Sequence, residues 1–459
     1  MRNLPKILPL LFLFAVPAFG ETRPNIVVIL ADDMGYGEVG CQECNGIPVP
    51  HIDSIAKNGI RFTDGYANHP VCSPSRAGLL TGRYQHRFGF EHNSGPEDYA
   101  SKDFGIPRSE PIIAERLKAA GYTTGMVGKW HVGFEEGLRP HERGFDFFYG
   151  FLAGAHTYLP ERFDEKRYAG RLMRNGTRVT NEKEYLTDAF ARESVAFIER
   201  SKDQPFFLYL AFNAVHGPLE ATGTYKKRFE DIGNPDRRTY AGMTAAMDDA
   251  VGRVLAKLRE LRLEDNTLVF FYSDNGGPTR NTTSRNDPLR GFKGDVWEGG
   301  IRVPFMVQWL SKLPAGELYH EMIMGFDVNA TALAAAGVPM PADKPLDGVN
   351  LVPYLTGEVK GTPHNSLFWR SGARKHAARL DHWKLVQEAE GKPELYNLQN
   401  DIGETQNLAV NRPEVLKDIQ AAYAEWDSQM VAAKWIRQDR KNAEIGGRLK
   451  RKPQEAETR

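Results

Sequence analysis

Residues 25–33 read NIVVILADD. From Ile26 to Leu30 every side chain is apolar and most are β-branched, so both faces of the run avoid water. A strand with one wet face would alternate. An unbroken apolar run is that of a central strand in a sheet covered by helices on both sides. An alanine and two adjacent aspartates, Asp32 and Asp33, come next. The arrangement recurs. Residues 123–127 lead into Gly128-Lys129-Trp130-His131, residues 205–210 into Asn213-Ala214-Val215-His216, and residues 267–272 into Ser273-Asp274-Asn275-Gly276-Gly277. A fifth run spans 304–309, and helical patterns cover 51–58, 111–120, 186–201 and 240–262. This alternation predicts an α/β fold with a large, mostly parallel central sheet flanked by helices.

Beyond about residue 360 the texture shifts to short hairpin-like runs at 366–370, 382–386 and 394–398, then a helical stretch from 413 to about 434. A small C-terminal α+β subdomain is expected there. The chain has 459 residues, 41% hydrophobic and 26% charged, the balance of an ordinary soluble globular protein. Lys plus Arg and Asp plus Glu both number 59, so no global field invites nucleic acid. The first twenty residues place Arg2 and Lys6 before an apolar run that ends in Ala18-Phe19-Gly20. That is the pattern of a secretory signal cleaved near Gly20, and no later stretch approaches the ~20 apolar residues of a membrane span. The sequence thus predicts an exported protein, periplasmic or extracellular, without stable membrane insertion. The expected division is a signal peptide over 1–20, a large domain over 21–360, the C-terminal subdomain over 361–445 and a basic tail over 446–459.

Ligands of open α/β sheets bind outside the carboxyl ends of the strands. Four strand ends here deliver acids, amides, a lysine and histidines, which predicts one shared site. Asp32, Asp33, Asp274 and Asn275 offer only oxygen, favouring a hard cation, calcium or magnesium, over zinc. Residues 35–40 fit G-x-G-x-x-G, but two aspartates separate them from the strand, and the residues through Pro48 and Pro50 are read as unable to open a helix. A dinucleotide site is rejected on that ground. Cys41, Cys44 and Cys72 are the three cysteines, and an odd number leaves at least one unpaired. Cys41 and Cys44 could close a small disulfide or be incidental. Cys72 opens CSPSRAGLLTGR at 72–83, where Ser73 suits a cap, Pro74 a first helical turn and Gly82 a helix end. A thiol at a helix N-terminus, with Arg76 one turn on as a two-pronged partner for an oxyanion, reads as a nucleophile beside an anion site.

Cys72-Ser73-Pro74-Ser75-Arg76 with Leu80-Thr81-Gly82-Arg83 resembles the signature of type I sulfatases, on the alkaline phosphatase-like fold. The likeness continues through Gly128-Lys129-Trp130-His131, the segment at 273–276, Gly291-Phe292-Lys293-Gly294, the segment at 298–304, and Leu395-Tyr396-Asn397-Leu398. Val132 and Phe292 depart from the commoner residues of that pattern. The resemblance implies that Cys72 is oxidised to 3-oxoalanine (formylglycine) by a formylglycine-generating or radical-type sulfatase-maturating enzyme. It implies that Asp32, Asp33, Asp274, Asn275 and modified Cys72 hold Ca2+, with Mg2+ the alternative. Arg76, Lys129, His131, His216 and Lys293 would line the sulfate pocket, His131 removing a proton from the aldehyde hydrate and His216 or Lys293 protonating the leaving alcohol.

Two rivals accompany this reading. One is a phosphate or phosphonate monoester hydrolase on the same fold. The other is a non-catalytic binder of sulfated glycan in which Cys72 stays a thiol. Residues 84–93 resemble the corresponding part of bacterial polysaccharide sulfatases, and 154–158 suit a pocket-lining loop. A sulfated carbohydrate is therefore the expected substrate, with His92, His156 and Arg302 as candidate contacts.

Overall fold

The computed structural model describes residues 23–42, 46–94, 100–163, 171–372, 375–389 and 391–435. The signal peptide, Cys44 and the basic tail expected from the sequence lie outside these. The strands in chain order are β1 (Asn25–Ala31), β2 (Ile60–Phe62), β3 (Gly65–Tyr66), β4 (Thr123–Lys129), β5 (Phe147–Phe151), β6 (Met173–Arg174), β7 (Thr177–Arg178) and β8 (Phe206–Ala211). There follow β9 (Thr267–Ser273), β10 (Phe305–Gln308), β11 (Glu317–Tyr319), β12 (Ile323–Met324), β13 (Ser366–Ser371), β14 (Lys375–Leu380), β15 (Trp383–Glu388) and β16 (Glu394–Asn397).

Ten strands form the main sheet in the order β11-β2-β10-β9-β1-β8-β4-β5-β6-β7. At its centre β9, β1, β8, β4 and β5 are mutually parallel. Side chains of β1 divide by parity. Val27, Ile29 and Ala31 enter one apolar core with the Leu186–Ser201 and Pro235–Glu260 helices, while Ile26, Val28 and Leu30 enter another with the Cys72–Thr81, Ile113–Ala119 and Phe326–Ala335 helices. Both faces are dry, as the unbroken run requires. The 304–309 run becomes β10, which pairs antiparallel to β9, so the sheet is mostly and not wholly parallel.

Register decides where the site falls. Ala31 pairs with Ser273, Leu30 with Ala211, and Ala211 with Gly128. The carboxyl ends of β9, β1, β8 and β4 therefore line up within a residue or so, and whatever follows them shares one edge.

Helix ends depart from the sequence reading for capping reasons. The long helix starts at Pro235, because Asn234 Oδ1 accepts from the Asp236 and Arg237 amides at 2.9 and 3.0 Å. Pro50, read as unable to open a helix, is the first residue of the Pro50–Lys57 helix. The amides of His51 and Ile52 are met by Asp248 Oδ1, reaching from the long helix, at 3.0 and 2.8 Å. A 3-10 turn at Tyr36–Glu38, not an α-helix, follows Gly35. The C-terminal helix ends at Asp427, short of the expected 434.

The C-terminal sheet is β13-β14-β15-β16, antiparallel throughout. Its join to the main domain is buried and charged. Lys384 Nζ donates to Glu298 Oε1 at 2.7 Å and lies 2.8 Å from Glu404 Oε1, all three side chains being fully buried. Glu404 Oε2 accepts from the Glu298 amide at 2.8 Å. Lys384 and Arg302 overcome the effect of burial on Glu298 and hold it down at about 2. Burial raises Glu404 to about 7, with Lys384 opposing and Glu298 adding to the rise. The folded chain therefore keeps a proton on Glu404 that the unfolded chain loses near the ordinary glutamate value. The stability from that proton is fully present below the unfolded value and is lost as pH rises through about 7. In thermal melts, Glu404→Gln should gain on the wild type by roughly a few degrees between about pH 5 and about pH 8. A constant difference across that range would show that Glu404 does not titrate in this network.

Candidate active site

The turn after β1 is sharp. The Asp32 amide donates to Ala214 O at 2.9 Å, and Asp33 sits at φ 65°, a left-handed conformation that side chains other than glycine seldom adopt. It turns the two carboxylates towards the end of β9, where the Asp274 amide donates to Ala31 O at 3.0 Å. Asp274 Oδ1 in turn accepts from the Asp33 amide at 3.2 Å. The Asn275 amide group donates through Nδ2 to Asp33 Oδ1 at 2.7 Å.

Cys72 is brought to these acids by its helix. It is the first helical residue, and Val71 holds the cap position. Ser73 does not cap as the sequence suggested. Its amide donates to Asn93 Oδ1 at 2.9 Å, and its hydroxyl donates to His131 O. Gly82 ends the helix at φ 71°, as expected. The Cys72 thiol lies 3.4 Å from Asp32 Oδ1 and 3.8 Å from Asp33 Oδ1. Lys293 Nζ lies 3.0 Å from Sγ and 2.6 Å from Asp33 Oδ1, bridging thiol and carboxylate. Burial and then Asp32 push the thiol far above its ordinary range, although Lys129 and Lys293 oppose this. As a bare cysteine this group is a protonated thiol, not the ready nucleophile that a helix N-terminus suggests.

Arg76, expected from the sequence as a two-pronged partner for an oxyanion, is fully buried against acids and backbone. Its Nε donates to Asp274 Oδ2 and its Nη1 to Lys129 O, both at 2.9 Å. Its Nη2 lies 2.9 Å from Asp274 Oδ2 and 3.4 Å from Asp32 Oδ2. Nε and Nη1 thus hold acid and backbone, while Nη2 is near two carboxylates but makes no hydrogen bond among the described residues. Lys129 Nζ ion-pairs with Asp32 Oδ2. Burial alone would raise Asp32, but Lys129, His216, Arg76 and Lys293 hold it well below the usual carboxylate range. Burial and the neighbouring Asp32 raise Asp274 to about 6 against the pull of Arg76 and Lys129.

Two histidines flank the cluster. His216 Nε2 is 3.7 Å from Asp33 Oδ2, and its Nδ1 is tied to Gly217 O at 2.6 Å. Tyr158 braces that turn by donating to His216 O at 2.7 Å. His131 follows β4 at φ 61°, and its Nδ1 has no hydrogen-bond partner among the described residues. Burial, then Lys129 and Arg76, keep its pKa well below the usual imidazole value, so it is neutral. Gly154 lets the ring in, since a Cβ there would lie 2.6 Å from His131 Nε2.

The three candidate substrate contacts separate. His92 is half-buried beside Asn93, and a Cβ on Gly372 in the β13–β14 turn would lie 3.4 Å from its ring. His156 is buried, its Nδ1 2.7 Å from Thr157 O and its ring packed on Phe151 and Phe163. Arg302 is not in the cluster. Its guanidinium donates to Thr63 O at 2.7 Å, Asp64 at 2.9 Å and Glu298 at 3.2 Å. It faces a cavity of about 970 Å³ that no residue of the Cys72 cluster lines. The segments 84–93 and 154–158 were singled out in the sequence, but not the tasks of Asn93, whose partner is twenty residues earlier, or of Gly154, which makes room for His131.

Asp32, Asp33, Cys72 and Asp274 each present a ligand atom within 4.8 Å of the others. Asn275 Oδ1 is buried there without a hydrogen-bond partner among the described residues. The donor set of buried oxygens plus one modifiable side chain fits a hard divalent cation.

Such a cluster at the carboxyl edge of a mostly parallel sheet offers acids, fixed cations and a buried thiol to an anionic ligand and a cation. Comparison with known proteins narrows this. Residues 24–338 match the sulfatase family, and residues 293–429 match the family of the N-sulphoglucosamine sulphohydrolase C-terminal region. The chain belongs to the sulfatase family and is a sulfuric ester hydrolase. N-acetylgalactosamine-6-sulfatase of Sus scrofa is 34% identical over 379 residues, spanning 79% of this chain and 71% of that protein. The crystal structure of Ps i-CgsB in complex with k-i-k-neocarrahexaose superposes with a TM-score of 0.87 at 34% identity, covering 94% of this chain and 98% of that one. A phosphonate monoester hydrolase of Agrobacterium radiobacter shares the fold at 20% identity and a TM-score of 0.65, covering 87% of this chain and 96% of that one.

Gly154→Ala tests the placement of His131. The added methyl must displace the ring, and displacements near 1 Å cost about 100-fold in rate. Sulfate release should fall by about 10- to 100-fold with little change in Tm. Unchanged kcat would remove His131 from the chemistry.

Proposed function

We propose that this sulfatase cleaves a sulfate ester on a carbohydrate, using a formylglycine made from Cys72 and a calcium ion, with magnesium the alternative. The observation that carries the proposal is the position of Cys72 Sγ, within 4 Å of Asp32, Asp33 and Lys293 at the start of a helix. One relative above is named an N-acetylgalactosamine-6-sulfatase and the other is in complex with k-i-k-neocarrahexaose, which supports carbohydrate as the substrate class. The N-terminal twenty residues support export, and among the described residues no helix is long and apolar enough to cross a membrane. A maturation enzyme of the formylglycine-generating or radical type is the implied partner.

Asp32, Asp33, Asp274, Asn275 and modified Cys72 would hold the cation. Hydrated formylglycine would supply the oxygen nucleophile at this position, and the cation would withdraw charge from the sulfuryl oxygens. The remaining work belongs to the chain. Three acids face three fixed cations, Arg76, Lys129 and Lys293, so a divalent ion leaves the pocket with surplus positive charge for an anionic ester. Arg76 orients Asp32 and Asp274, and Lys129 fixes Asp32. His131, neutral and unpartnered at Nδ1, is the group placed to take a proton. Lys293 Nζ and His216 Nε2 both face Asp33, and this pair holds the proton that the leaving alkoxide requires.

Cys72→Ala, purified from cells with a maturation enzyme, should fold normally and lose nearly all sulfate release from aryl sulfate. The wild-type peptide around Cys72 should be lighter by the difference between CH2SH and CHO. Turnover in Cys72→Ala, or a thiol mass in active enzyme, would overturn the proposal. Chelation should abolish activity and lower Tm, with calcium restoring both. Matched aryl phosphate should be turned over far more slowly than aryl sulfate; the reverse preference would revive the phosphatase reading.

A further inference from the structure

Beyond the reactive cluster, two chain segments meet at its rim and are held together by one buried side chain. Asn286 is 4% exposed. Its Oδ1 accepts from the Gly277 amide at 2.8 Å, and its Nδ2 donates to Gly277 O at 2.8 Å, Thr279 Oγ1 at 3.2 Å and Gly291 O at 3.4 Å. The Lys293 amide adds a bond to Gly277 O at 3.3 Å. The first segment continues from Asp274 and Asn275 to Arg280. The second places Phe292 directly before Lys293. Where they meet, the Arg280 guanidinium lies over the Phe292 ring, 4.8 Å from its centroid.

Arg280 is exposed and pairs with no carboxylate among the described residues, whereas nearby Arg290 is engaged by Glu404 O at 2.9 Å and Glu394 at 3.8 Å. A guanidinium stacked on an aromatic face loses little freedom and keeps its N–H edges available for a planar or tetrahedral anion. The acids Asp32, Asp33 and Asp274 are already balanced within the cluster, so this charge has no internal task there.

We propose that Arg280, held in place by Phe292, binds a second anionic group, a sulfate or carboxylate on a sugar other than the one being desulfated. The inference rests on the carbohydrate reading and deepens it: the preferred substrate is a multiply charged glycan. Arg280 contributes through ground-state contact and long-range attraction. Its effect is therefore largest at low salt, where screening over the ~8 Å physiological Debye length is relaxed.

The test compares kcat/KM for a defined disulfated oligosaccharide with that for its monosulfated counterpart, in wild type, Arg280→Ala, Arg280→Lys and Phe292→Ala. Losing one charge-assisted contact should lower the disulfated-to-monosulfated ratio about tenfold in Arg280→Ala at low salt. The ratio should be partly kept in Arg280→Lys, intermediate in Phe292→Ala, and less affected at high salt. A merely structural role would lower both substrates together and leave the ratio unchanged, which overturns the platform alone. Wild type that hydrolyses aryl sulfate but neither oligosaccharide overturns the carbohydrate reading and the platform with it.

Discussion

Everything at this site depends on Asp32 keeping its charge without water. The carboxylate is fully buried, and burying a lone anion costs far more than one domain's margin of stability. It is met by Lys129, Arg76 and the Cys72 thiol, which come from a strand end, the second turn of a helix and the first turn of the same helix. None of these is near Asp32 in sequence. Lys129 meets Asp32 because the carboxyl ends of β1, β8 and β4 are in register, and the Cys72–Thr81 helix brings Cys72 and Arg76 to the same edge. Removing Lys129 or Arg76 would leave the buried Asp32 charge short of a partner, a penalty of about 3–5 kcal/mol for well-buried pairs, whereas the neutral thiol carries no such charge.

Local strain is gathered at the same edge. Asp33 and His131 are both non-glycine residues with φ above 60°, each two residues past the end of its strand, β1 and β4 respectively. Residues in that region cost about 1–3 kcal/mol each and persist only where surrounding bonds over-determine them. For Asp33 those bonds are the ion pair to Lys293 and the Asn275 amide; for His131 they are Leu152 O, Ser73 Oγ and the space left by Gly154.

What could be read beforehand follows from how local the causes are. The central strands were legible because burial on both faces writes an unbroken apolar run, and the acids after them were legible because strand ends are chemical positions in this architecture. β14 was not, since Lys375-His376-Ala377-Ala378-Arg379-Leu380 has neither a clean alternation nor β-branched residues; neighbouring strands on both sides make it a strand. Ser73 looked like a cap, but Asn93 from a distant loop satisfies its amide. Arg76 was read as an anion partner from its place one helical turn after Cys72, and only the folded chain shows which carboxylates lie against it and against Arg302. Asp32, Asp33 and His216 come together because each follows a strand end, whereas Cys72 arrives at the start of a helix and Lys293 in the loop between β9 and β10.

The C-terminal subdomain enters this argument through Glu298. Lys384 of β15 holds its carboxylate, and Glu404 holds its amide, which anchors the start of the short Glu298–Ile301 helix. The next two residues of that helix reach in both directions: the Gly299 amide donates to Arg290 O at 2.7 Å, and Gly300 O accepts from the Gly276 amide at 3.0 Å. Gly276 must be glycine, because a Cβ would lie 1.9 Å from Gly299 O. Gly276 adjoins Asn275, and Arg290 begins the loop that carries Lys293. The buried charges between the domains are therefore linked through this helix to the spacing between Asn275 and the lysine that touches the thiol. A sheet far from the chemistry positions it through one glutamate and two glycines, and a loosened Lys384–Glu298 contact would be felt at Lys293 before it was felt in the core.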